Sequence, residues 1–314
     1  DFADMFVPFR EISEPYLSRS RRRESWRMYT NWSADARFIA GCSEDGAIRV
    51  WDTITGELQI ETQVPSGTLA QRICPIPGGS WFAVACGDGV PRLFDSTSGK
   101  FMDLPGVGKR ISSIDVSRDG RWIAICGESR RLRVYDAGSR RVVFESEEAG
   151  DTLRCVRFSP DGRLVAVSGT NSVVALYRTA DWKLEREIAA RQQAIFGLAF
   201  RPDSRILATG EAGGAIMLWD LRTGKNLLIL KRHTNSVFNL AFSPDGRVLA
   251  SGGQDRRVTL HELGYYETHI AGNVEAALAR DPAAAGSKRA KEVRDWAAAR
   301  GLKSPQLDGE GERG

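Results

Sequence analysis

The sequence predicts an all-β protein in which one four-stranded unit recurs six times. Three observations predict it: a turn motif returns at a fixed period, short strand-favouring runs flank each copy, and no helical period lies between copies. The clearest copies are Phe158-Ser159-Pro160-Asp161-Gly162-Arg163 and Phe242-Ser243-Pro244-Asp245-Gly246-Arg247. A third is Phe200-Arg201-Pro202-Asp203-Ser204-Arg205, and a degenerate fourth is Val116-Ser117-Arg118-Asp119-Gly120-Arg121. The residues after each turn, Arg37, Ser80, Arg121, Arg163, Arg205 and Arg247, are spaced by 43, 41, 42, 42 and 42. Such a unit cannot bury its apolar face alone, so the copies must stack, and a stack presents a surface before it presents a reaction centre.

Each strand of the unit has a local reason. A β-favouring run such as 156–158 or 240–242 leads into Ser-Pro-Asp-Gly, where Pro presets φ, Asp accepts local hydrogen bonds and Gly takes positive φ. The apolar run after the turn, 163–167 or 247–251, completes a hairpin. A small polar loop follows, Glu44-Asp45-Gly46 or Gly87-Asp88-Gly89. The third strand then alternates, as in Ile48, Val50, Trp51 and in Ile216, Leu218, Trp219. A glycine-containing turn (53–56, 96–99, 221–224) leads to a fourth strand such as 58–62 or 226–230.

The third strand ends in Trp51-Asp52 and Trp219-Asp220, and equivalent positions hold Phe94-Asp95, Tyr135-Asp136, Tyr177-Arg178 and His261-Glu262. With the period, the turn and the strand order, these residues resemble WD40 repeats over residues 26–270. The resemblance implies a WD40 β-propeller of six recognisable four-stranded repeats, closing as six blades or gaining a seventh from upstream sequence or a partner. It also implies a buried His, Ser/Thr, Asp and Trp tetrad in each blade. The last repeat has His233, Ser251 and Asp255, with His261 where Trp belongs; the first has Asp45 and Trp51 but Gly41; the fifth has Thr209 and Trp219 but Gly213. Divergent tetrads shift the burden of stability to packing. Trp51, Phe94, Tyr135, Tyr177, Trp219 and His261, each 14 residues beyond its marker, are expected at one equivalent, buried position.

Composition narrows the function classes. The 42% hydrophobic content supports a core, and no run of 18 apolar residues occurs, so no membrane partner is expected. A net charge of +4, from 44 basic and 40 acidic residues, exerts no general pull toward nucleic acid. Five cysteines without C-x-x-C spacing read as apolar filler in a reducing, cytoplasmic setting, since Cys42, Cys86 and Cys126 fall on one strand of three repeats. The chain begins at Asp1, from which fusion to an upstream domain is expected.

The ends depart from the repeat. Residues 1–25 carry an apolar patch, 5–9, read as a ring-closing strand, and an Arg-rich stretch, 18–23, read as a linker or a phosphate contact. Residues 271–303 read as a helical extension: a helix over 274–280 capped by Asn273, a break at Asp281-Pro282, and a helix over 288–300 capped by Ser287. Trp296 on that second helix either packs on the rim or anchors a partner. Residues 304–314 read as a disordered tail.

No nucleophile elbow, P-loop, H-E-x-x-H or dinucleotide loop occurs, so neither catalysis nor a cofactor or metal is expected. The expectation is a protein-binding platform, a sensor or scaffold module. The alternatives are an open propeller completed by a partner and a ligand or nucleic-acid site in the central channel. Candidate contacts are polar residues of the loops between second and third strands: Glu44, Arg130, Arg131, Asn171, Glu211, Gln254, Arg256 and Arg257. The tandem arginines stand out, because like charges at a loop tip repel and are not expected to serve folding.

Overall fold

In the computed structural model, residues 28–190 and 193–263 are described. The segments read as an N-terminal strand and linker, a C-terminal helical extension with Trp296, and a tail lie outside them, as do the last residues of the repeat region.

Every described regular element but one short helical turn is a strand. The first sheet comprises β1 (Met28–Trp32), β2 (Phe38–Ser43), β3 (Ala47–Asp52) and β4 (Leu58–Gln63); the second β5 (Ala70–Pro75), β6 (Trp81–Cys86), β7 (Arg92–Asp95) and β8 (Phe101–Asp103). The third comprises β9 (Ile111–Val116), β10 (Trp122–Gly127), β11 (Arg133–Asp136) and β12 (Val142–Glu145). The fourth has β13 (Leu153–Phe158), β14 (Leu164–Gly169), β15 (Val173–Arg178) and β16 (Leu184–Ala189), and the fifth β17 (Ile195–Phe200), β18 (Ile206–Glu211), β19 (Ala215–Asp220) and β20 (Asn226–Lys231). Each of these five is an antiparallel meander in sequence order. The sixth, β21 (Val237–Phe242), β22 (Val248–Gly253) and β23 (Val258–Glu262), has three strands among the described residues where four were expected. By compactness, the described chain up to Leu240 with Gly252–Arg257 forms one unit, and Ala241–Ser251 with Val258–Leu263 falls in another.

The turn motif closes as its chemistry predicts. Ser33, Ser117, Ser159 and Ser243 each donate Oγ–H to an aspartate two residues on at 2.6 Å and accept the backbone N–H five residues on at 2.8–2.9 Å. The aspartate of the third-strand dipeptide holds the next turn: Asp52, Asp95, Asp136 and Asp220 accept backbone N–H groups two or three residues on. Arg178 replaces that aspartate in the fourth repeat and pairs instead with Asp181 and Glu185.

Within the larger unit the core lies between successive sheets. One cluster joins Ala40, Cys42, Ile48 and Val50 of the first sheet to Phe82, Val84 and Phe94 of the second. Ala83, Ala85 and Leu93 point the other way and meet Ile114, Ile123 and Tyr135 of the third. Two more clusters link the third sheet to the fourth and the fourth to the fifth. Alternation along β6 thus feeds two cores, which is why the second strands are almost wholly apolar although their period is two. All five cysteines are buried and free.

Five of the six third-strand positions share one register. Trp51, Phe94, Tyr135, Tyr177 and Trp219 pair with Ile39, Phe82, Ile123, Val165 and Leu207, each two residues beyond its marker. Five of the six side chains are buried; Tyr177 is half-buried, its ring tilted against Phe144 with centroids 5.5 Å apart. Trp219 Nε1 donates to Thr209 Oγ1 at 3.0 Å, and in the smaller unit His261 Nε2 lies 2.9 Å from Ser251 Oγ. The imidazole therefore reproduces the polar link an indole would make ten residues down the chain. His233 Nδ1 sits 2.9 Å from Asp255 Oδ1.

Candidate functional site

The loops between second and third strands all belong to the larger unit. Nine residues beyond each marker, all six repeats place a residue with positive φ: Gly46 (82°), Gly89 (80°), Arg130 (57°), Ser172 (61°), Gly214 (81°) and Arg256 (64°). The turn needs a left-handed residue there because the chain reverses over three to five residues between antiparallel strands. At Gly46 a Cβ would approach Thr68 O to 2.4 Å, so glycine is the residue the geometry favours. A non-glycine residue in this region costs about 1–2 kcal/mol. Three repeats bear that cost, two of them with arginine. One residue earlier, Asp45, Asp88, Asn171 and Asp255 accept the backbone N–H two residues on, which holds the tip in place.

The predicted contact residues divide on this frame. Gln254, Arg256 and Arg257 are exposed, and neither arginine side chain pairs with a described residue. Arg130 and Arg131 depart from the expectation that tandem arginines serve no folding purpose. Arg130 pairs with Glu148, Arg131 lies within 3.8 Å of Glu145 and 3.7 Å of Glu148, and Arg131 donates to Ser146 O at 2.8 Å. The mutual repulsion is offset within their own sheet. Glu44 and Asn171 are half-buried, and Asn171 serves its own turn.

Glu211 is not a surface contact. It is 2% exposed, ending a second strand buried along its whole length and pairing with Ile195. The signal was in the repeat: equivalent positions hold Ser43, Cys86, Gly127, Gly169 and Gly253, all small. A Cβ at Gly169 would meet Thr152 O at 2.1 Å, which shows how crowded that place is.

Sequence reasoning missed the arginines of the first strands. These strands run in one direction, so their early residues mark the end of the larger unit that also bears the second-to-third-strand loops. There a cavity of about 280 Å³ is lined by Gln71, Arg72, Arg110, Ser112, Arg154 and Gln254 among others, with Tyr29, Phe196 and Phe238 as apolar wall. Further along the same strands a second cavity, also about 280 Å³, is lined by Arg72, Cys74, Asp115, Arg157 and Asn239 among others. Burial pushes the Asp115 carboxyl up, opposed by the Arg157 charge and by the Phe158 N–H that Asp115 accepts at 2.7 Å. Burial also raises the Cys74 thiol above its ordinary range. The signal for these residues was an arginine at a polar step of a strand, which cannot be told from an ordinary solvated face until the strands converge. Among the described residues no three His, Cys, Asp or Glu cluster to hold a metal, and no helix is long and apolar enough to cross a membrane.

Comparison with known proteins bears on the repeat. A family model described as WD domain, G-beta repeat matches residues 26–52, 102–136 and 224–262. A model described as Anaphase-promoting complex subunit 4 WD40 domain matches residues 156–237. The matches fall in five of the six repeats. The chain is also 26% identical over 115 residues to WD repeat-containing protein SL1-17 of Schistosoma mansoni, a match covering 37% of this chain and 38% of that protein.

Proposed function

The chain belongs to the WD40-repeat family, and from that premise we propose that it is a non-catalytic cytoplasmic platform, a sensor or scaffold module that binds a protein partner through its second-to-third-strand loops. WD40 repeats generally mediate protein–protein interaction. One observation carries the assignment of the face. Arg256 occupies a left-handed position that three sister repeats give to glycine; its N–H closes the turn onto Gly253 O, and its guanidinium pairs with no described residue. Strain kept at a loop tip without a folding return is a mark of a functional position. With Arg257 and Gln254 beside it, it presents a fork-shaped cationic contact suited to a partner carboxylate. Arg130 and Arg131 are weaker candidates, because Glu145 and Glu148 already engage them.

The test is affinity capture with the full chain, comparing the parent with Arg256→Glu/Arg257→Glu. A protein recovered specifically by the parent, lost with the double variant and released by salt is the expected result. Equal recovery with both chains, insensitive to salt, would remove this face from the interaction. A second reading, a ligand in the central channel, is favoured by the arginine-lined cavity.

A further inference from the structure

We propose that the cavity at the loop-bearing end of the first strands is a binding site for a compact polyanion, a small molecule with clustered phosphate or carboxylate groups. Three guanidinium groups line it, from Arg72 on β5, Arg110 just before β9, and Arg154 on β13, and no acidic residue is among the lining side chains. Three successive sheets thus each deliver one cation to a single concave space. Like charges gathered in a recess repel one another unless an anion joins them.

The cations are oriented rather than loose. The Arg72 guanidinium lies 5.1 Å from the centre of the Tyr29 ring, over its face. Arg110 Nη2 donates to Gln71 Oε1 at 2.9 Å, which occupies the amide oxygen and leaves the Gln71 amide nitrogen as a donor. Gln71 Nε2 and Arg154 Nε are both buried, and neither finds an acceptor among the described residues. Buried donors without acceptors are costly, and each is worth about 1–3 kcal/mol when left so. An anion's oxygens would satisfy both donors and neutralise the arginines together. Asp151, whose carboxyl feels the Arg154 charge, is exposed and is held by the Thr152 N–H at 2.6 Å.

The size of the recess selects the ligand. About 280 Å³ is at the small end of ligand pockets. It suits a compact multivalent anion better than an extended acidic peptide, which would lie across the loop tips and engage Arg256 and Arg257. The inference goes beyond the platform reading and does not depend on it.

The probe is sodium tripolyphosphate, titrated calorimetrically into the full chain at low salt, with citrate as the carboxylate arm. One-to-one binding that weakens as salt rises is expected. Arg110→Gln and Arg154→Gln should each weaken it roughly tenfold, the loss expected for one charge-assisted contact. Arg256→Glu/Arg257→Glu should bind the probe as the parent does, while bearing on partner capture. Circular dichroism checks each fold, and should Arg154→Gln unfold, Arg110→Gln alone decides, since Arg110 lies just before β9 and is only half-buried. Comparable affinity for citrate would assign a carboxylate ligand, and preference for tripolyphosphate a phosphate ligand; either supports the site. No binding at millimolar probe, unchanged binding by a folded channel variant, or loss of binding in the loop-tip variant would overturn it. So would an acidic peptide that binds through Arg256 and Arg257 while tripolyphosphate does not bind.

Discussion

Replacing Trp219 by alanine tests the packing logic of the repeat at its most loaded point. The indole is 5% exposed and belongs to the cluster that joins the fourth and fifth sheets, with Leu176, Leu198, Leu207 and Met217. Truncating a buried aromatic of this size costs about 3–5 kcal/mol. The share of that loss due to the Nε1–H bond to Thr209 Oγ1 should be about 1 kcal/mol. Thr209→Val leaves the shape but strands the indole N–H in a fully buried place, at about 1–3 kcal/mol. A cycle with Trp219→Phe, Thr209→Val and the double variant should therefore show a coupling of about 1 kcal/mol. Urea unfolding followed by far-ultraviolet circular dichroism measures the global loss. Amide exchange adds location, because in a stacked repeat the loss should be felt in β13–β20 and fade toward β1–β4. If Trp219→Ala unfolds at the parent's urea concentration, or if protection falls equally in all sheets, the reasoning fails.

Arg256→Gly should raise the unfolding midpoint slightly, by up to about 1 kcal/mol, since relief of the left-handed strain outweighs the added chain entropy; a clear loss of stability in urea would show that the arginine serves the fold. Ser251→Ala removes the hydroxyl 2.9 Å from the buried His261 ring and should destabilise by about 1–3 kcal/mol in the same assay, whereas no change would mean the imidazole needs no partner there. Stability should fall in acid. Backbone N–H groups of Thr55 and Ile54 hold Asp52 low, and at Asp95 burial alone would raise the carboxyl, but the bonds it accepts from Ser98, Ser80 and Thr97 together bring it low. Depressed carboxylates stabilise fully above the unfolded value of about 4, and the benefit is lost as pH falls from there toward their folded values. Melting curves of Asp95→Asn should thus drop less than the parent's across that window, and parallel drops would contradict the assignment.

The fold was legible because its causes are local and repeated. Ser-Pro-Asp-Gly fixes a turn within six residues, and the dipeptide aspartate fixes the next, so period and strand order could be read from Ser159, Asp161, Asp52 and Asp220 without any distant contact. Trp219 and Trp51 were legible for the same reason, since their place is counted from the turn. Even Glu211 could have been read as buried from the small residues its sister repeats hold at that position.

The candidate sites were legible only where the repeat marks them. Arg256 could be named from its loop, but its strain appears only in the backbone, as the positive φ it shares with Gly46, Gly89 and Gly214. The same loop in the third repeat showed why composition is not enough: Arg130 and Arg131 resemble Arg256 and Arg257 in sequence, yet Glu145 and Glu148 meet only the first pair. What the sequence determined by itself was therefore the repeated unit, its strands, its turns and the third-strand register. Tertiary structure alone decided which charges are paired and which converge. Arg72, Arg110 and Arg154 lie tens of residues apart and share no motif, and they become one cationic recess only because three sheets stack with their first strands side by side.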